Sequence, residues 1–517
     1  MVSIDGHHLT IEEVVRVARG RETVELSEQG KQAIQESRRR LEQILKTGKA
    51  VYGINTGFGI FADRRIAPEE SAQLSRNLIL SHAVGTGPDL PENVVRAAML
   101  VRANTLAKGY SGVRLEIVQT LIDMLNCGVT PVVPSQGSLG SSGDLGPLSH
   151  MALVFTTDEE DREDQSGRAL YRGERMSGKA AMEKAGLKRI QLGAKEGLAI
   201  NNGATFSAAI TALAVADAAR LLDLADAAAA MSLEALMGCS AAFDPRLHEA
   251  RGHPGQVESA ARIRAAIAGS EWVDCSDRVQ DAYSLRCAPQ VHGPARDTLQ
   301  FVRAVIEREI NAATDNPLLV GEEGALSGGN FHGEPVGLAA DYLGIALAEI
   351  GAISERRVYR LTDGKLNGGL PPMLVDSPEA AGLNSGLMMP QYTAASLVLE
   401  NQTLAQPDSV HSLPTSGGQE DHNANAMTAA RHLQQILANC AHVLAVEVYT
   451  AARALDLRRR EDPERKLGAI TGAILERVRQ AVPYQPGDAW WAPEIEATKA
   501  LIIDGSLNEA ISSTGAV

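Results

Sequence analysis

The chain has 517 residues, 44% hydrophobic and 22% charged, a composition that supports a large buried core and argues against a disordered chain. Its formal charge of −15 argues against nucleic acid as a partner, because that affinity comes from Lys and Arg releasing counterions from phosphates. Met1-Val2-Ser3-Ile4-Asp5 is not a basic leader, and no run of about 18 apolar residues free of charge occurs, so the expectation is a cytoplasmic protein that meets no membrane. Five cysteines, Cys127, Cys239, Cys275, Cys287 and Cys440, are odd in number and form no CxxC pair, which predicts reduced core residues rather than a zinc or redox site.

Thr10 with Glu13 three residues on has the spacing of a capping box and predicts a helix start. A charged helix follows from about Ser27 to Lys46. Glycines crowd between Val51 and Gly59 and again between Gly137 and Gly146, and irregular backbone gathered in two places invites a functional reading. Asp158 to Gly173 is acidic and rich in turn formers, which predicts an exposed loop or short hairpin. The Ala-rich stretch Phe206 to Leu236 predicts a helix whose small side chains permit close approach. Leu299, Val302, Ile306 and Ile310 stand at helical spacing and predict an amphipathic helix. Ala424 to Asp456, without Pro or Gly and apolar on several sides, predicts a long helix buried from more than one direction. The last predicted helix carries Leu467, Ile470, Ile474 and Val478 and ends near Pro483. The expected division is an N-terminal domain at 1–205, a central long-helix bundle at 206–483 and a C-terminal segment at 484–517.

The segment richest in chemistry is Gly137-Ser-Leu-Gly-Ser-Ser-Gly-Asp-Leu-Gly-Pro147, with a glycine at every third position around two adjacent serines. In a sufficiently compressed turn the amide nitrogen of Gly143, unobstructed by a Cβ, attacks the carbonyl carbon of Ser141. Loss of water from that ring and from the Ser142 side chain then leaves a conjugated methylidene, an electrophile that needs no added cofactor. A plain flexible Gly/Ser loop is the other reading of the same residues. A phosphate cradle fits worse: no GKS or GKT follows, and the spacing is GxxGxxG rather than GxGxxG after a strand.

At this segment the sequence resembles the aromatic amino acid ammonia-lyases and aminomutases, and the resemblance runs from about Asp5 to about Pro483. In that family the triad is usually Ala-Ser-Gly and becomes methylidene-imidazolone; here Ser141 takes the first position. The resemblance implies that Ser141, Ser142 and Gly143 form this ring, with no metal and no pyridoxal phosphate. Tyr52-Gly-Ile-Asn-Thr-Gly-Phe-Gly59 resembles the base loop, in which Tyr52 removes the substrate's β-proton. A phenol titrates near 10 in water, so that role needs positive charge or donors nearby. Gln280-Asp-Ala-Tyr-Ser-Leu-Arg286 is similar to the segment in which Gln280 and Tyr283 surround the prosthetic group and Arg286 holds the substrate carboxylate, a task suited to a planar guanidinium. Read alone, Arg286 near Asp281 suits a surface or interhelical ion pair better.

Lys195-Glu-Gly-Leu-Ala-Ile-Asn-Asn-Gly203 resembles the asparagine loop, with Asn202 in contact with ring or substrate, although Ala204-Thr205 departs from the usual continuation. Gly328-Gly-Asn-Phe-His-Gly-Glu334 also matches, placing Phe331 beside the prosthetic group; a core Phe is compatible with this. Gln419-Glu-Asp-His422 lacks HExxH spacing, so no metal is expected there. Ser81-His82 and Glu420 resemble the pair that marks histidine-directed members: Glu420 can accept from an imidazole N–H while His82 donates or accepts. The resemblance thus implies a mainly α, long-helix bundle of the ammonia-lyase and fumarase-like type, with a smaller N-terminal domain bearing the prosthetic-group loop, assembled as a homotetramer. The implied reaction is elimination of ammonia from L-histidine to urocanate. A tyrosine or phenylalanine substrate, a 2,3-aminomutase using the same group, and a ring-free binding protein stay open as alternatives.

Overall fold

The computed structural model describes every residue except Lys49, Phe58, Ala62, Glu322, Glu323, Ala516 and Val517, together with the Ile60 backbone without its side chain. The chain is mainly helical, and among the described residues no strand exceeds four residues. Four helices dominate: Thr205–Ala235, Ala288–Glu309, Glu334–Thr362 and Ala426–Glu461. Two compact units emerge, one formed by Met1–Ala216, Val302–Asp341 and Pro407–His432, the other by Asp217–Phe301, Tyr342–Gln406 and Leu433–Val517.

In the first unit the predicted capping box is present: Glu13 N–H donates to Thr10 Oγ1 at 3.2 Å and Thr10 N–H to Glu13 Oε2 at 3.0 Å, opening the helix Ile11–Ala18. Ser27 caps the helix Glu28–Thr47 through Gly30 N–H, and Gly48 closes it in the left-handed region at φ 64°. Both expectations for the acidic stretch are met in part: 158–167 is a largely exposed loop with one short turn at Glu163–Gln165, and 168–173 enters a hairpin. Strand Arg168–Tyr171 pairs antiparallel with Glu174–Ser177, and Arg172 and Gly173 both take positive φ, as a two-residue hairpin turn of matching twist demands. Strand Val129–Pro131 pairs with the same Arg168–Tyr171 strand on its other side.

The stripe Val302, Ile306 and Ile310 is fully buried, but its helix starts eleven residues before Leu299, at Ala288, because Pro294 is tolerated inside it. Glu334–Thr362 is long and apolar enough to cross a membrane by length and composition, yet more than half of its apolar stretch is buried within the chain. The 36-residue helix Ala426–Glu461 carries Arg458, Arg459 and Arg460 in its last turn, where their charge complements the negative helix end. In the second unit, Glu447 accepts from Ser232 Oγ at 2.8 Å, Ser354 Oγ at 2.6 Å and Arg357 Nη2 at 2.8 Å. A buried carboxylate satisfied on this scale ties three long helices together, since removing Arg357 would strand its charge.

Two features differ from expectation. Beyond the helix Ala469–Ala481 the chain forms two further helices, Trp491–Ile503 and Ser506–Ser513, which bury Ile495, Ile502, Leu507 and Ile511. The cysteines are all free thiols, but only Cys440 is a core residue; Cys127 is exposed and Cys239, Cys275 and Cys287 are half-buried. A thiol is small and weakly polar enough for a half-buried place, where Cys275 Sγ donates to Trp272 O at 3.2 Å and Cys239 Sγ to Arg278 O at 3.5 Å.

Candidate active site

The Gly-Ser segment folds into a turn held from three sides. Gly143 takes φ 82°, and a Cβ on it would lie 2.0 Å from the carbonyl carbon of Gly203, so glycine is obligatory there. The two glycines form an isolated parallel bridge: Gly203 N–H donates to Ser142 O at 3.1 Å and Asp144 N–H to Gly203 O at 2.9 Å. Asn202 Nδ2 adds a second donor to Ser142 O at 2.7 Å. On the other flank Gly333 N–H donates to Gly140 O at 2.8 Å.

Asp144 anchors the segment from beneath. It is fully buried and accepts from Ser138 Oγ at 2.9 Å, Ser207 N–H at 2.9 Å and Ser207 Oγ at 3.0 Å. Burial raises its pKa, and these donors pull the other way. Around it lie the fully buried Arg102 and the half-buried Glu309; desolvation pushes Arg102 down to about 10 and Glu309 up to about 7, Asp144 adding to the rise and Arg102 opposing it. Arg102 donates to Ala199 O at 3.2 Å and to Thr205 Oγ1, while Lys195 pairs with Asp315, both fully buried. These contacts anchor both ends of the 195–205 loop, at Lys195 and Thr205.

Ser141 and Ser142 line a cavity of about 1160 Å³ together with Tyr52, His82, Asn202, Phe331 and Glu420. Ser142 Oγ donates to Glu420 Oε1 at 2.7 Å, and Thr415 Oγ1 to Glu420 Oε2 at 3.2 Å. Ser141 Oγ donates to Asn423 Oδ1 at 3.0 Å. His82 ends the helix Ser71–His82, its Nδ1 3.0 Å from Ser81 Oγ; burial lowers its pKa against the opposing pull of the Leu78 backbone and Glu420, which favours the neutral ring. Asn202 Oδ1 is buried and has no hydrogen-bond partner among the described residues. Leu74, Leu78 and Leu198 supply apolar wall.

Among the lining residues that the sequence alone did not single out are His332 and His422. The rings of His332 and His422 stack with centroids 5.8 Å apart and planes 10° from parallel, and His332 Nε2 lies 3.2 Å from His422 O. Their one signal was adjacency, since each sits inside a motif already singled out for Phe331 or Glu420. Among the described residues no three His, Cys, Asp or Glu side chains gather as a metal site.

Gln280, Tyr283 and Arg286 belong to the second unit and do not line this cavity within one chain. Tyr283 is 70% exposed, and the Arg286 guanidinium lies 4.8 Å from its ring centroid. Asp281 pairs with Arg278 at 3.4 Å and accepts from Cys239 N–H at 2.6 Å, so its partners are other than Arg286.

The chemistry of the triad fits the ring that the resemblance implies. Gly143 takes a positive φ and leaves no room for a Cβ, and the Ser142 carbonyl is held by two donors. The aromatic amino acid lyase family's sequence profile matches residues 9–480, so the chain belongs to that family and is a carbon–nitrogen lyase. Among relatives, the histidine ammonia-lyase of Caldanaerobacter subterraneus subsp. tengcongensis is 49% identical over 517 residues, covering 99% of each chain. The crystal structure of histidine ammonia-lyase from Trypanosoma cruzi is similar with a TM-score of 0.90 at 36% identity, covering 99% of this chain and 95% of that one. A tyrosine aminomutase from Streptomyces globisporus matches with a TM-score of 0.92 at 35% identity, covering 99% and 98%.

Proposed function

We propose that this lyase eliminates ammonia from L-histidine to give urocanate, through a methylidene-imidazolone made from Ser141, Ser142 and Gly143. The observation that carries the reading is the meeting of Ser142, His82 and Glu420 on one cavity, with Ser142 Oγ 2.7 Å from Glu420 Oε1. Once formed, the ring offers an electron-poor methylidene carbon that makes the substrate amine a better leaving group. The remaining work is done by side chains. Glu420 accepts from one imidazole N–H, and neutral His82 serves the other ring nitrogen. A phenyl ring in that place would leave both groups unpaired, at about 1–3 kcal/mol for each buried polar group. Tyr52, on the same cavity, takes the β-proton. Asn202 accepts from the substrate ammonium through its unpartnered Oδ1, and Phe331 packs beside the triad.

Arg286 is assigned to the substrate carboxylate, with Gln280 and Tyr283 next to the prosthetic group. Because they lie off the cavity of the single chain, this reading brings them in from another copy and makes the enzyme a homotetramer with composite sites. The likeness to a tyrosine aminomutase supports a second reading, a 2,3-aminomutase. Separate incubations with L-histidine, L-tyrosine and L-phenylalanine, with products resolved by chromatography and ultraviolet absorbance, test both. Urocanate from histidine is the expected result. Turnover of tyrosine or phenylalanine alone would overturn the substrate, and a β-amino acid product would establish the aminomutase.

A further inference from the structure

Ser141 is 4% exposed, and its hydroxyl donates to Asn423 Oδ1 at 3.0 Å. The direction of that bond is fixed, because the other end of the Asn423 amide, Nδ2, donates to Leu413 O at 2.7 Å, leaving Oδ1 as the acceptor. Asn423 N–H in turn donates to Ser412 Oγ at 2.8 Å. Asn423 is fully buried, whereas the loop before it is mostly exposed and carries Glu420, tied internally by the Thr415 and Glu420 bridge. Two side chains of the triad therefore hold this loop, Ser142 through Glu420 and Ser141 through Asn423.

Ring closure, on which this inference rests, removes one of the two. A bond forms from the Gly143 nitrogen to the Ser141 carbonyl carbon. The Ser141 carbonyl oxygen leaves as water with the amide protons of Gly143 and Ser142, and the Ser142 Oγ leaves as a second water with its own proton and the Ser142 Cα proton. The Ser141 side chain takes no part and keeps its hydroxyl. We infer that Ser141 is a positioning residue, whose hydroxyl clamps the 412–423 loop through Asn423 once the Ser142 contact is gone, and so holds Glu420 at the height where it meets the substrate's side chain.

The experiment compares wild type, Ser141→Ala, Asn423→Ala and the double variant by intact mass, hydrogen exchange of the 412–422 amides, and KM and kcat for L-histidine. Each single variant should keep the two-water mass loss, exchange faster in 412–422 than wild type, and raise KM about fivefold, the effect of one buried neutral hydrogen bond, with kcat within about twofold. The double variant should be no worse than Asn423→Ala alone. Should Ser141→Ala fail to fold, Asn423→Ala carries the same comparison. Unchanged exchange in 412–422, or effects that add in the double variant, would overturn the clamp while the wild-type mass loss stands. A wild-type chain of full mass would overturn the ring-based reading itself.

Discussion

Ser142 is the residue on which the proposed chemistry turns. Its Oγ donates to Glu420, its carbonyl accepts from Asn202 and Gly203, and its neighbour Gly143 tolerates no side chain. Ser142→Ala should fold normally, because one hydroxyl at a half-buried site is worth about 1 kcal/mol, yet turn over no histidine and retain its full mass; kinetics with intact mass spectrometry check both. His82 gives a pH test. Burial holds its pKa below 6.5, so between its folded value and 6.5 the unfolded chain binds the extra proton and stability rises with pH across that window. Urea titrations of wild type and His82→Gln from pH 5 to 8 should show a shallower acid loss in the variant, and parallel profiles would contradict the assignment. At this scale much of the cavity was legible: Tyr52, His82, Ser141, Ser142, Asn202, Phe331 and Glu420 all line it, each drawn from a motif whose glycines or polar spacing set it apart. Asn423 and the stacked His332 and His422 were not, because their meaning depends on what faces them across the chain.

Among the elements, the bridge between Gly143 and Gly203 ties the turn to the 195–205 loop. At Gly203 a Cβ would lie 2.4 Å from Thr314 Oγ1 and the φ of 116° strains any other residue. Gly203→Ala should therefore loosen the turn and slow or abolish the two-water mass loss, while circular dichroism retains the helical signal. The helix Ala288–Glu309 brings the other elemental prediction, through its last residue. Glu309 sits near 7 folded and near 4.5 in an open chain. Its folded form holds a proton that the unfolded form releases between those values, and stability falls as pH rises through that window. Glu309→Gln should remove that fall and raise stability at pH 8 by on the order of 1–3 kcal/mol, measured by urea unfolding. Helix existence was readable from the apolar stripe of Val302, Ile306 and Ile310; its start was not, because Pro294 reads as a breaker while tertiary packing overrides it.

Across the whole molecule, no local pattern marks that residues 302–341 and 407–432 return to the unit bearing the triad, since each return is made by long-range packing. The helices Trp491–Ile503 and Ser506–Ser513 were missed for a related reason: they are short, and their few buried residues, such as Ile495 and Leu507, repeat too briefly to outweigh the turn signals around them. The composite-site reading has its own test at this scale. Ser142→Ala and Arg286→Ala chains, each inactive alone, should regain part of the wild-type activity when co-expressed, because mixed assemblies contain sites with one intact triad and one intact arginine; no recovery in a verified mixed oligomer would contradict it. The central claim is more direct than any of these, and the mass of the proteolytic peptide containing residues 141–143 from freshly purified wild-type protein tests it. The account predicts a peptide lighter than its sequence by two waters, and a peptide of full sequence mass from active enzyme would contradict it.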